Sequence, residues 1–294
     1  MTPLSSATLG ALVRMIHAET GIAIGPDKHY LLHHRLEPVM AAHGIASFED
    51  LVARLGARAT ARELRADVID AVAIHETSFF RDPDVFAAIA QHVLAPAFTA
   101  KQRPLRIWSA AASTGQEAWS LAMLVAEALG GASATWPSRA SILASDISPH
   151  TIAFARDGRY SSREIERGLS DARVARYFRP VPKSDPARPR FDVCADLRSL
   201  VQFNTFNLIE SLAPLGQFDL VLCRNVLIYF DDATRARVIH AITDAIVPGG
   251  HLVLGAAESL YGMDAASIGQ AAPIATRLEP TYFPRAVIYR RAAR

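Results

Sequence analysis

The sequence predicts an α/β protein: a doubly wound, mainly parallel sheet carried behind an all-helical N-terminal segment. Three observations predict it. From Leu105 onward short apolar runs alternate with helical segments, residues before about 72 keep only helical periodicity, and the run Phe218 to Phe230 (FDLVLCRNVLIYF) turns polar at Arg224-Asn225. A buried parallel strand reads as a nearly unbroken apolar run, and ligands of open α/β sheets lie just beyond the carboxyl ends of such strands. Asn225 therefore stands where a ligand would sit.

In chain order, Leu9, Leu12, Val13 and Ile16 mark one buried helical face, and Leu32, Leu36, Val39 and Met40 mark the next. Ser47 with Asp50 and Thr60 with Glu63 have capping-box spacing for two further helices. Asp82-Pro83 reads as a helix start, with Asp as the cap and Pro in the first turn. Strands then follow at LRIWSAAA (105–112), SILASDI, VQFNTFN, FDLVLCRN, HLVLGAA and AVIYRR. Helices lie between them at about 116–129, from Pro149, and from about Asp232 to Val247, the last stopped by Pro248-Gly249-Gly250. Between Tyr160 and Leu200 the Pro-rich, charged RPVPKSDPARPR and the strand-like FDVCADLRSLV break the alternation and predict a small antiparallel insertion.

At 294 residues, half of them apolar, the chain has enough material for a large core, which excludes disorder as its main state. A net charge of +2 supplies no global field for nucleic acid or membrane. Cys194 and Cys223 have no CxxC spacing, so no metal site is indicated and both read as buried apolar residues. The first residues (MTPLSSATLG) show no leader pattern and no run of about 18 apolar residues occurs, so a cytoplasmic location is expected.

Five motifs occur in order: Thr77-Ser78-Phe79-Phe80-Arg81, Ser109 to Glu117 (SAAASTGQE), Ser145-Asp146-Ile147, Asn207-Leu208, and Cys223 to Phe230 (CRNVLIYF). Through them nearly the whole chain resembles the CheR family, the S-adenosylmethionine-dependent methyltransferases that esterify glutamates on methyl-accepting chemotaxis receptors. The resemblance implies a Rossmann-like class I methyltransferase sheet, an all-α N-terminal domain (1–72), a linker carrying the TxFFR motif (73–83), a methyltransferase domain (84–294) and an inserted β-subdomain (160–203). It also implies S-adenosylmethionine as cofactor and the cytoplasmic helical region of the receptors as partner.

Carried over residue by residue, the resemblance assigns cofactor contacts to His75, Thr77, Arg81, Glu117, Asp146, Asn207, Leu208, Asn225 and Val226. Asp146 follows the second strand, where a carboxylate can accept both ribose hydroxyls, as acidic residues do in nucleotide-binding βαβ units; the alternative is a cap for the helix from Pro149. Glu117 also has capping-box spacing with Thr114. Asn207 and Leu208 would hold the adenine, or form a plain loop. Arg81 would orient the incoming glutamate and Tyr229 border the methyl-transfer site, while Phe79 and Phe80 read as interdomain packing. Arg35 is the expected substrate contact, with Lys28 and the row Arg54, Arg58, Arg62 and Arg65 as a basic helical face, or a solvated one.

Three departures stand out. Only Gly115 remains of a phosphate-type glycine motif, which counts against NAD and ATP. His75 stands where the family commonly has Asn, and Ala118-Trp119 replaces Pro-Tyr. The loop PVPKSDPARPR does not match the peptide-binding version of the subdomain, so dependence on a receptor C-terminal peptide is not expected. The rivals are a methyltransferase with another substrate, lacking here the Asp/Asn-Pro-Pro-aromatic turn of amino-methylating enzymes, and a cofactor-sensing module without transfer activity.

Overall fold

The computed structural model describes residues 5–57, 61–100, 103–130, 132–182, 185, 187–260 and 276–293. Four helices open the chain: α1 (Ser6–Thr20), α2 (His29–Ala42), α3 (Phe48–Gly56) and α4 (Arg62–Val72). Their apolar stripes meet in one core built from Leu12, Ile16, Leu32, Leu36, Met40, Leu51 and Val68. Ser47 accepts the Asp50 N–H at 3.2 Å, but the Asp50 carboxylate turns to Arg54, so only half of the expected capping box forms. Thr60 lies outside the described residues.

A helix begun by α5 (Pro83–Ile89) passes through a π turn into α6 (Ala95–Ala100). The alternating region then runs β1 (Leu105–Ala110), α7 (Gln116–Leu129), β2 (Ala140–Asp146), α8 (Pro149–Asp157), β3 (Arg159–Ser161), α9 (Ser162–Glu166), α10 (Asp171–Tyr177), β4 (Phe178–Pro180), β5 (Arg190–Val193), α11 (Ala195–Arg198) and β6 (Val201–Thr205). After β7 (Phe218–Cys223) come α12 (Asp232–Ala245), β8 (Ile246–Leu254), β9 (Leu278–Phe283) and β10 (Ala286–Arg291). The main sheet has the order β6-β2-β1-β7-β8-β10-β9, with every strand parallel except β10, which runs antiparallel to both its neighbours. Order reverses at β1, so the carboxyl ends of β1 and β7 flank a topological switch point, where such sheets bind ligands. All six residues of β7 are buried, as its apolar run requires.

The predicted insertion is a three-stranded antiparallel sheet, β3-β5-β4, into which the chain also weaves the short helices α9 and α10. Residues 183, 184 and 186 of its Pro-rich loop lie outside the described residues. Two expectations need correction, and one strand was missed. The helix from Asp232 ends at Ala245, and Pro248-Gly249-Gly250 sit inside β8, because the register slips between Phe218↔Ile246 and Leu220↔His251 and the surplus residues form a bulge that tolerates Pro and Gly. The edge strand β9 was not foreseen, since LEPTYF exposes most of its side chains and shows no apolar alternation. Cys194 is only partly buried, at the start of α11, whereas Cys223 is fully enclosed.

Phe79 and Phe80 do not pack between the helical domain and the sheet. Phe79 makes edge contacts with Tyr160 and Phe178 of the inserted subdomain, while Phe80 meets Phe86 and lies under Arg173. Gly168 closes this joint: it has φ +107, and a Cβ there would lie 1.9 Å from the carbonyl oxygen of Phe79. Gly168→Ala is therefore expected to lower the unfolding free energy by about 2 kcal/mol or more. Urea unfolding of the two proteins checks it, and equal midpoints would refute the close approach.

Candidate active site

At the switch point a cleft of about 890 Å³ opens between the sheet and the helical domain. Nearly every predicted site residue borders it: His75, Thr77, Arg81, Glu117, Asp146, Asn207, Leu208, Asn225, Val226 and Tyr229. Arg35 does not. It lies in an adjoining groove of about 630 Å³ with Lys28, Leu31 and Val72, and the groove and cleft share Ile22, Ile74 and Tyr229 as a common wall.

The loops are held in unusual backbone. Among the described residues, Ala111, Ser113 and Asn225 have φ of 60, 50 and 59°, and all three line the cleft. Positive φ is costly for residues with a side chain and gathers at ligand sites. Gly115, at φ 95°, starts α7; a Cβ there would meet Ala155 at 2.8 Å. The expected Thr114–Glu117 capping box is absent: Thr114 bonds Gln116, and Glu117 accepts from Ser109 at 2.8 Å and from Arg224 at 3.0 Å.

Arg224 is the residue that sequence reasoning underrated. Its side chain is 1% exposed, and it reaches Glu117, Asp82 at 2.6 Å and the carbonyl of Arg81 at 2.9 Å. Asp82 consequently does not cap α5, having given its carboxylate to this guanidinium. The signal was an arginine directly after an all-buried strand, where a charge demands an acidic partner.

Asp146 ends β2 and is 7% exposed. Its carboxylate accepts the N–H of Ser113 at 2.9 Å and of Ser148 at 3.1 Å, leaving lone pairs toward the cleft. Burial pushes this carboxyl above its ordinary range, opposed by those backbone donors and by the nearby His75. The cap of α8 is Ser148, which removes the alternative reading of Asp146 as that cap.

The helical domain forms the opposite wall. Thr20 and Ile22 line the cleft, Ala23 N–H donates to the Tyr229 carbonyl at 2.8 Å, and His17 bonds Asp231 at 2.6 Å. Asn207 belongs to this seam and to the cleft: its amide donates to the Glu19 carbonyl at 2.6 Å and its Oδ1 accepts from the Ile209 N–H at 3.3 Å, which leaves one side-chain N–H, one lone pair and the main chain for a ligand. His75 bridges the same seam, with Asp70 of α4 at 3.3 Å and Thr151 of α8 at 3.3 Å. The hydrogen bond to Asp70 raises the His75 pKa, and the reciprocal bond lowers that of Asp70 to about 2.

The basic row is not one face. Arg54 ends α3 and pairs with Asp50, Arg62 and Arg65 lie on α4, and Arg65 turns inward to Glu19 and the Leu55 carbonyl, while Arg58 lies outside the described residues. Arg35 remains, anchored by one bond to the Val72 carbonyl at 2.8 Å. Tyr229 is raised in pKa by burial, against the positive charges of Arg81 and Arg35. Among the described residues no His, Cys, Asp and Glu cluster can hold a metal.

Comparison with known proteins agrees with this geometry. Residues 7–73 match the family described as CheR methyltransferase, all-alpha domain, and residues 75–271 match CheR methyltransferase, SAM binding domain. The chain is 40% identical over 246 residues to the chemotaxis protein methyltransferase Cher2 of Pseudomonas putida, covering 83% of this chain and 86% of that one. It is 39% identical over 250 residues to the chemotaxis protein methyltransferase of Vibrio anguillarum (85% and 88%), and 32% over 261 residues to that of Salmonella typhimurium (88% and 86%).

Two outcomes are expected. Arg224→Ala strands the buried part of its acidic partners and should cost about 3 kcal/mol of stability, read from chemical denaturation; an unchanged midpoint would exclude the ion pairs as a structural necessity. The His75–Asp70 pair should be pH-dependent. The raised His75 pKa makes its contribution complete below the unfolded value of about 6.5 and lost as pH rises through the folded value. The lowered Asp70 pKa makes its share complete above about 4 and lost as pH falls toward about 2. The stability gap between wild type and Asp70→Asn should thus be widest near pH 5–6 and narrow toward about pH 9; a constant gap would show that the pair does not titrate.

Proposed function

This chain belongs to the CheR methyltransferase family, and on that premise we propose that it esterifies specific glutamate side chains on the cytoplasmic helical region of methyl-accepting chemotaxis receptors, acting in the cytoplasm. The cofactor is S-adenosylmethionine. The residues present suit its parts. Asp146 offers a buried, hydrogen-bonded carboxylate to a ribose diol, and Asn207, Leu208, Glu117 and Asn225 line the same cleft with polar groups for the base and the charged tail. When bound, the cofactor supplies an electrophilic sulfonium methyl.

One observation carries the substrate reading: the groove of Lys28 and Arg35 adjoins the cleft, the two sharing Ile22, Ile74 and Tyr229 as lining. A substrate carboxylate arriving along that groove meets three cations, Lys28, Arg35 and then Arg81. Glutamate is already ionised at neutral pH, with a pKa of about 4.3, so no general base is required. The residues' work is then to orient the carboxylate and exclude water. Arg81, held by a 2.9 Å bond to the Glu76 carbonyl, orients one oxygen. Its attraction must not deepen the ground state alone, because that would not raise turnover. Tyr229 walls the point of transfer, and its main chain is fixed by Ala23.

The proposal is tested by incubating the protein with labelled S-adenosylmethionine and receptor-containing membranes. Base-labile label on receptor is expected; label on nucleic acid, or none with cofactor bound, would favour another substrate or a sensing module. Arg81→Ala and Tyr229→Phe should each slow transfer about ten- to a hundredfold while S-adenosylmethionine still binds. Full activity in both would remove them from the site.

A further inference from the structure

The turn that follows β8 carries a carboxylate that does not border the cleft. The Glu258 N–H donates to the Gly255 carbonyl at 2.9 Å, closing the turn, and the side chain folds back toward the loop after β7. There it accepts three main-chain N–H groups: Asn225 at 2.7 Å and Gly255 at 2.8 Å on Oε2, and Leu227 at 2.8 Å on Oε1. Bonds to an ionised acceptor are stronger than neutral ones, and here both oxygens are occupied. Two of the donors flank Val226, and one belongs to Asn225 in its left-handed conformation.

Gly255 shows how tightly the pieces are fitted. A Cβ there would lie 2.8 Å from the backbone nitrogen and from Nδ2 of Asn225, and 2.7 Å from Glu258 Oε2. The loop is thus set from behind, by a residue on the neighbouring strand's exit. Asn225 tolerates positive φ better than most residues, yet its neighbours Val226 and Leu227 have no propensity of their own for such a turn.

We propose that Glu258 is a positioning residue for methyl transfer: its carboxylate fixes the main chain from Asn225 to Leu227, and so the way Asn225, Val226 and Tyr229 meet cofactor and substrate. The inference rests on the transfer reaction proposed above. Glu258 lies outside the residues that line the cleft and acts through the backbone that its two oxygens hold. A glutamine would keep the shape but offer one acceptor oxygen, leaving either Leu227 or the Asn225–Gly255 pair unmatched. Alanine would release all three.

Calorimetry with S-adenosylmethionine and the receptor-methylation assay, both run well below the unfolding temperature on the full chain, decide it. Glu258→Ala should weaken cofactor binding about tenfold or more, with Glu258→Gln intermediate and kcat reduced in the same order. Gly255→Ala should reproduce the defect from the other side of the contact. Variants that lose thermal stability yet keep the wild-type Kd and kcat/KM would overturn the proposal, as would unaltered behaviour throughout. Should Glu258→Ala fail to fold, the isosteric Glu258→Gln decides alone. A wild type that binds cofactor but methylates no receptor would end the substrate reading while leaving the Glu258 question to the affinities.

Discussion

The guanidinium of Arg224 is the contact on which the rest of the site depends. It leaves the end of a fully buried strand and ties together two segments: the start of α7 through Glu117, and the stretch before α5 through the Arg81 carbonyl and the Asp82 carboxylate. A charge in that position cannot be left without partners, so the acidic residues are drawn inward and the linker is drawn with them. Arg81, which lines the cleft, has its carbonyl held by this guanidinium. The strength of the arrangement is geometric, since desolvating such a group offsets much of its Coulomb attraction.

Around that anchor the cleft is divided between two domains. The sheet supplies carboxylates at the ends of β2 and α7, and the helical domain supplies a wall of Thr20 and Ile22 together with cations at its far side. The seam is polar and specific: Glu19 with Asn207, Ala23 with Tyr229, His17 with Asp231, and His75 with Asp70. Few of these bonds belong to secondary structure. They hold the domains in one orientation while leaving the apolar cores of each separate, the helical one around Leu12 and Leu36 and the sheet's around Trp119 and Val125.

Legibility in the sequence followed the physics of periodicity. Strands with unbroken apolar runs, such as Phe218–Cys223, and helices with capped, amphipathic repeats were plain, and the family resemblance named ten of the residues bordering the cleft. What misled were residues with two possible partners. Asp82 and Glu117 looked like caps by spacing, but a buried arginine outbids a backbone N–H for a carboxylate. Asn207, expected beside the adenine, lines the cleft while its amide also joins the two domains. The Arg54 to Arg65 row kept helical spacing across what is in fact a break between α3 and α4. Long-range choices of this kind, including the three N–H groups on Glu258, leave no local trace in composition or period.

The antiparallel bridge between Ile22 and Phe230, with Ala23 donating to Tyr229, joins the α1–α2 connection to the loop that walls the cleft. That rung couples the two domains through backbone alone: whatever moves Ala23 moves the Tyr229 carbonyl with it, so one wall of the cleft inherits its position from a connection in the other domain.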